Sequence, residues 1–282
     1  MNHSAYHLFC DLFQKKDRLV STRKIEQFPF DAAMLSCKNK GRFPDLAIRV
    51  NKDGSDFTGG ELIEIKDSKT FTVSSFNSTI PTGQKEIAGL VSGKSNSLRA
   101  QMEKAGDEIL ALPTRQVFYL VRGKKAKATK VALVHGKFFE TLSVPDLISQ
   151  SFLQALEERL GDVKKEIPGD IKDTLIQLLT DQDTFSRVRT VNKASVRLRF
   201  RIMTEVREEG NLINSNKYPQ IIDNTLNFLI PCHTPEEEEK HRRLMAKAFE
   251  QRGAKLLFKE LQIFTLKHLL NGPFLVFQAP IK

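Results

Sequence analysis

Asp45, Glu64 and Lys66 are ionisable residues set inside two segments that otherwise read as core. In the stretch GRFPDLAIRVNKDGSDFTGGELIEIKDSKT, from Gly41 to Thr70, Leu46, Ile48 and Val50 alternate with Asp45, Ala47 and Arg49. Further on, Ile63 and Ile65 alternate with Leu62, Glu64 and Lys66. A period of two marks a half-buried strand, with residues i and i+2 on one face. Glu64 and Lys66 therefore point the same way. Ionisable groups beside a core are costly unless paired, hydrogen-bonded or bound to a metal.

The two acids are 64 − 45 = 19 positions apart, and the connecting NKDGSDFTGG carries the turn signals Asp53-Gly54 and Gly59-Gly60. An antiparallel hairpin is expected, bringing Glu64 back beside Asp45. Two carboxylates a few ångströms apart repel and raise one another's pKa. A hard divalent cation relieves that repulsion, and Mg²⁺ is typically held by one or two carboxylates with waters and phosphate oxygens. Lys66, on the face of Glu64, would orient a metal-bound water or offset charge on a phosphate. This set suits hydrolysis of a phosphodiester. Leu46, Ile48, Ile63 and Ile65 are expected to anchor both strands in the core from the opposite face.

The surrounding pattern supplies elements to position these groups. Residues from about Ala5 to Leu19 read as an amphipathic helix with Leu8, Phe9, Leu12 and Phe13 on its apolar face. After the hairpin, Asp67 to Ser97 is polar and aperiodic, a length of loop that is uncommon in compact domains unless functional or disordered. A helix is expected from Leu98 to about Leu112, stopped by Pro113. Gln116–Arg122 and Lys130–Gly136 read as buried strands around a lysine-rich turn. The character changes at Val144, where helices are expected up to Gly161 and over Ile171–Leu179, followed by an alternating strand over Ala194–Ile202. Thr234 and Pro235, with Glu236–Glu239 behind them and Gly253 at the far end, punctuate one more helix. Short strands are expected near Leu256–Phe258 and Phe274–Phe277.

Pro44-Asp45 followed by Glu64-Ile65-Lys66 resembles the PD-(D/E)xK nuclease superfamily, which includes most type II restriction endonucleases. The resemblance covers about Arg42 to Lys66; the order of elements to residue 135 also fits, and the C-terminal half lies outside it. It implies Mg²⁺ held by Asp45, Glu64 and the backbone carbonyl of Ile65, with Lys66 as the catalytic lysine. It also implies an α/β (α+β) fold with a restriction-endonuclease-like mixed central sheet flanked by helices. On this reading residues 1–143 form the catalytic core and 144–282 an α+β extension for DNA contacts or dimerisation, and both can belong to one domain. Many members add an acid from the N-terminal region, for which Asp11 and Glu26 are the candidates.

The chain's 282 residues carry a net charge of +10, with 40% hydrophobic and 28% charged residues. That balance points to a soluble protein with a polyanionic partner, nucleic acid first. Lys69, Asn77, Gln84, Lys85, Lys94 and Asn96 in the polar loop are side chains of the kind that pair with base edges. Arg197, Arg199 and Arg201 share one strand face, with Arg187 and Arg189 upstream, and suit a phosphate backbone. Three unpaired cysteines, no secretory leader pattern and no apolar span of about 20 residues lead to the expectation of a cytoplasmic protein, without membrane attachment. His3 and His7, four apart with Cys10 behind them, form a candidate metal face that so near a terminus is more often plain surface, and Cys232, His233 and His241 lack the second ligand pair of a structural zinc site. No P-loop, GxGxxG or GxSxG motif is present, so no nucleotide cofactor is expected.

The expectation is thus a Mg²⁺-dependent endonuclease cutting double-stranded DNA at a specific sequence to leave 5′-phosphate ends, with a homodimer suited to a symmetric site. A repair, recombination or mobile-element nuclease of the same fold is the alternative within the class. A non-catalytic sequence-specific DNA-binding protein would keep the basic faces and have no use for the acids.

Overall fold

The computed structural model describes residues 4–39, 43–53, 56–71, 81–93, 96–140 and 212–281, together with scattered positions between 154 and 196. Two compact units are present, one of residues 1–140 with 205–282 and one of residues 141–204. The chain leaves the first unit and later returns to it, and its last strands extend the first unit's sheet.

The first unit is mixed α/β. Helices α1 (Ser4–Gln14) and α2 (Lys16–Ser21) lead through a 3₁₀ turn at Ile25–Gln27 to strands β1 (Leu35–Lys38) and β2 (Leu46–Ile48). A small ribbon, β3 (Asn51–Asp53) and β4 (Asp56–Thr58), precedes β5 (Leu62–Ser68). Then come β6 (Gln84–Glu86), α3 (Ile87–Leu90), α4 (Ser97–Lys104), β7 (Thr114–Lys125) and β8 (Ala128–His135). In the second unit β9 (Arg189–Val191) pairs antiparallel with β10 (Ala194–Val196). Back in the first unit are β11 (Thr225–Pro231), α5 (Pro235–Gln251), β12 (Gln262–His268) and β13 (Gly272–Pro280).

Eight of these strands lie in the order β1-β2-β5-β7-β8-β11-β13-β12, with β6 paired to β7 off that path. The pairs β5–β7 and β8–β11 are parallel, and the others in the path are antiparallel. Apolar layers cover both faces. On one, Phe9 and Phe13 of α1 and Phe249 of α5 pack over Ile63, Phe118, Phe228 and Phe277. On the other, Leu98 and Met102 of α4 pack with Leu62, Val117, Val134 and Phe274. Burial on both faces is why β7, β8, β11 and β13 read as nearly continuous apolar runs.

Several expectations are corrected. The N-terminal helix breaks at Lys15 into α1 and α2. The helix expected to run to Leu112 ends at Lys104, because Gly106 turns the chain at φ 71 and Asp107 is drawn inward. The segment near Leu256–Phe258 forms a 3₁₀ turn rather than a strand, and β12 follows it. Residues 20–44 hold β1, and Thr225–Pro231 holds β11, both unanticipated. The predicted α5 is present, with Thr234 accepting from the Glu237 N–H at 3.2 Å and Gly253 at φ 67. The helices expected around 144–179 and the strand expected to Ile202 lie largely outside the described residues.

Two buried ion pairs tie the sheet to its surroundings. Arg115 and Asp107 both have fully buried side chains, with Nη2–Oδ1 at 3.0 Å and Nη1–Oδ2 at 3.2 Å. Asp107 also accepts the Val50 N–H at 3.3 Å, and Arg115 donates to the Ile109 carbonyl at 3.0 Å. The pair therefore holds the turn after α4 against the end of β2. Removing one partner strands a buried charge, so Asp107→Ala is expected to lower unfolding free energy by about 3–5 kcal/mol. The double change Asp107→Leu with Arg115→Met should lose much less, measured by urea denaturation.

Candidate active site

The site is built from the register of β2 on β5. Leu46 pairs with Ile63 and Ala47 with Leu62, and the Ile48 N–H donates to the Glu61 carbonyl at 2.8 Å. Each partnership sums to 109 (46 + 63, 47 + 62, 48 + 61), so the same register sets Asp45 opposite Glu64 and Pro44 opposite Ile65. A strand residue directs its N–H and C=O to the same neighbour in an antiparallel ladder. Asp45 turns its backbone to β1, where its carbonyl accepts the Asn39 N–H at 2.8 Å. Pro44 thus faces β5 with no N–H to give. The Ile65 N–H is taken instead by Asp45 Oδ2 at 2.8 Å, and the Ile65 carbonyl on that side receives no ladder donor from Pro44. The paired motif has a backbone reason as well as a side-chain one.

The connection carries the β3–β4 ribbon, Asn51–Asp53 paired with Asp56–Thr58, and Gly59 and Gly60 return the chain at φ 86 and 88. A Cβ on Gly59 would stand 2.2 Å from the Arg49 carbonyl oxygen, so this return needs glycine. Leu46, Ile48, Ile63 and Ile65 all enter the core layer with α1 and α5, as expected, while Ala47 and Leu62 join the other layer. Asp45, Glu64 and Lys66 follow the alternation of that second face.

Glu64 is buried and accepts from Lys66 Nζ at 2.9 Å through Oε1. Its Oε2 is buried with no hydrogen-bond partner. Burial, and next the charge of Glu64, push the Asp45 carboxyl up to about 6, against the Ile65 N–H and Lys66, which pull it down. Tyr119, paired with Glu64 across β5–β7, is held protonated by burial first and by Glu64 second. Of the two further acids, Glu26 lies within electrostatic reach, since its charge also raises Asp45. Asp11 does not join the site, because it pairs with Arg252 at 3.0 Å.

Among the described residues, no group of three or more His, Cys, Asp or Glu side chains is gathered to hold a metal. The donors at hand are two carboxylates and one carbonyl. The unpartnered buried Glu64 Oε2 and the repulsion between the two acids fit a hard cation at this place, of the Mg²⁺ type.

The candidates for DNA contact are dispersed. Lys69 and Gln84 are exposed. Lys85 Nζ stands 4.9 Å over the Phe43 ring. Asn96 caps α4, accepting the Leu98 and Arg99 N–H groups and donating to the Leu90 and Ser92 carbonyls. Asn77, Lys94, Arg187, Arg197, Arg199 and Arg201 lie outside the described residues, and Arg189 is described only as backbone of β9.

Residues not singled out from the sequence also frame the site. Asp67, next to Lys66, binds the buried Arg122 at 2.8 and 2.6 Å and accepts the Ile25 N–H at 3.0 Å. Lys124 and Lys130, expected in a solvated turn, point inward: Lys124 Nζ binds the Val20 carbonyl at 2.6 Å, and Lys130 is 1% exposed. The one signal for Arg122 was a cation closing an apolar strand. Compared against known protein families, curated proteins and solved structures, the chain matches none of them.

The Asp45 shift carries a sign. A carboxyl raised in the fold stabilises only when protonated, so without a cation its ionised form costs stability as pH rises from about 4 to about 6 and above. In EDTA at pH 7.5, Asp45→Asn is therefore expected to raise stability by at most about 3 kcal/mol, a gain that vanishes below about pH 4. Thermal melts across pH check this.

Proposed function

We propose that this protein is a Mg²⁺-dependent endonuclease of the PD-(D/E)xK type that hydrolyses phosphodiester bonds in double-stranded DNA. The observation that carries the reading is the convergence of Asp45 and Glu64 from adjacent antiparallel strands, with Lys66 bonded to Glu64. The mixed sheet with helices on both faces is compatible with a restriction-endonuclease-like core. The net charge of +10 favours a polyanionic substrate.

Asp45, Glu64 and the Ile65 carbonyl would hold the cation. Bound there, Mg²⁺ lowers the pKa of a water and polarises the phosphoryl oxygens. Asp45 and Glu64 bring their negative charge to a half-buried position, where electrostatic interactions are stronger than in water. The Ile65 N–H fixes the Asp45 carboxylate and leaves its second oxygen for ligation. Lys66 can leave Glu64 Oε1 for the phosphate, offsetting the charge that grows on its oxygens in the transition state. Sequence-specific cutting by a homodimer, with 5′-phosphate ends, completes the proposal.

Incubating supercoiled plasmid with protein and Mg²⁺ tests it. Discrete fragments support a restriction-type enzyme, a smear supports a nuclease without sequence choice, and intact DNA rejects hydrolysis. Asp45→Ala and Lys66→Ala should each reduce cutting by at least about 100-fold while retaining a shifted band with Ca²⁺. Full cleavage by the Lys66→Ala protein would remove the assigned role of that lysine.

A further inference from the structure

The ten residues from Lys15 to Lys24, KKDRLVSTRK, carry five cations and one acid. Arg18, Arg23 and Lys24 are exposed, and among the described residues none of them has an acid within ion-pair distance. Elsewhere on the first unit, Arg99, Arg242, Arg252 and Lys255 pair with carboxylates, while exposed Lys247 and Lys259 stand singly and not in such a cluster. Five cations against one acid in ten residues repel one another, a cost that an anionic partner relieves.

The backbone of this segment is held with unusual completeness. Arg122, 1% exposed, donates from Nη1 to the carbonyls of Leu19 and Thr22 at 2.7 and 3.0 Å, and from Nη2 to that of Arg23 at 3.3 Å. Lys124 Nζ adds the carbonyls of Val20 and Thr22 at 2.6 and 3.1 Å. Asp67 takes the other side of the Arg122 fork and the Ile25 N–H. With consecutive Cα atoms about 3.8 Å apart, the backbone of Lys24 can be no further than roughly 13 Å from that of Lys66. Strand alternation puts Asp67 on the face opposite Glu64 and Lys66. The pinned turn therefore brackets the end of β5 from the side of α1, and exposed Lys69 leaves the same strand end two residues after Asp67.

We infer that Arg23 and Lys24, held by the Arg122–Asp67 clamp, form a rigid phosphate-binding rim that grips the DNA backbone beside the strand end bearing Lys66. Arg18 and Lys69 extend the rim. Fixing the main chain in advance lowers the ordering cost of binding, because only side chains must settle on the phosphates. This rests on the nuclease reading for its substrate, and on the clamp alone for its location.

Fluorescence anisotropy of a labelled 30-base-pair duplex, in Ca²⁺ and across a range of KCl, separates the two. The Arg23→Ala/Lys24→Ala protein should bind about 10–100-fold more weakly near 0.1 M KCl. Its log–log salt slope should fall by about 2, at roughly 0.9 per lost phosphate contact. The charge-matched control Lys247→Ala/Lys259→Ala, altered on exposed positions of α5 and the turn after it, should move both quantities far less. Arg23→Gln/Lys24→Gln repeats the test with less loss of side-chain bulk, and thermal melts of all three should match the wild type. Equal affinity and slope for the rim and control variants would overturn the inference even if plasmid is cut. Loss of affinity in the rim variant without plasmid cleavage would uphold the rim and reject hydrolysis, and a wild type that ignores the duplex would reject both.

Discussion

The register of β2 against β5 is the constraint on which the candidate site depends. A slip of one residue would send Asp45 to the other face and bury it among the phenylalanines of α1 and α5. Leu46, Ile48, Ile63 and Ile65 oppose that slip, since all four are nearly fully buried in one layer. The return through Gly59 and Gly60 opposes it too, because the close approach to the Arg49 carbonyl leaves no room for a displaced turn. Hydrophobic burial thus sets a polar geometry, and the energy that holds two repelling carboxylates together comes from the opposite face of the same strands.

Around that pair the molecule places ionisable groups in graded environments. Arg115 and Asp107 are wholly buried and bonded to each other and to backbone, which suits a joint. Asp67 and Arg122 are a second joint, closing the end of β5 onto the segment after α2. Glu61, fully buried at the other end of β5, accepts the Ala5 N–H at 3.0 Å and so meets the positive end of α1. Glu61 and Glu64 each keep one buried oxygen with no hydrogen-bond partner, and Glu64 stands beside a second acid, Asp45, whose carboxyl its charge raises. The pairing of two acids beside an ammonium group separates the site from the scaffold.

The interrupted architecture bears on how the site is supported. β8 and β11 are adjacent and parallel although the second unit lies between them in the chain. The buried Lys130 helps to close that gap, binding Ser215 Oγ and the Ile221 carbonyl on the returning segment. β11, β13 and β12 then complete the sheet, and α5 completes the layer over α1. The C-terminal residues are accordingly part of the foundation of β5 and β7.

Much of the local pattern was legible in the sequence. Alternation in Asp45–Val50 and Leu62–Lys66 identified the two strands and the shared face of Glu64 and Lys66. Thr234, Pro235 and Gly253 marked α5, since caps act within one turn of chain. What local pattern could not supply were partners far apart in sequence: Arg122 with Asp67 and the Leu19, Thr22 and Arg23 carbonyls, Asp107 with Arg115 and Val50, and β11 beside β8. The extent of α4 was misjudged for the same reason, as its apolar spacing continues to Ile109 while Asp107 is pulled inward by a buried guanidinium. The sequence by itself determined which residues can be strand, cap or turn, because those preferences depend on near neighbours. Only the tertiary structure decided which charged groups become joints, which buried carboxylate oxygens are left without a partner and which cations remain exposed. Those outcomes depend on desolvation and hydrogen bonding between chain segments that meet only in the folded state.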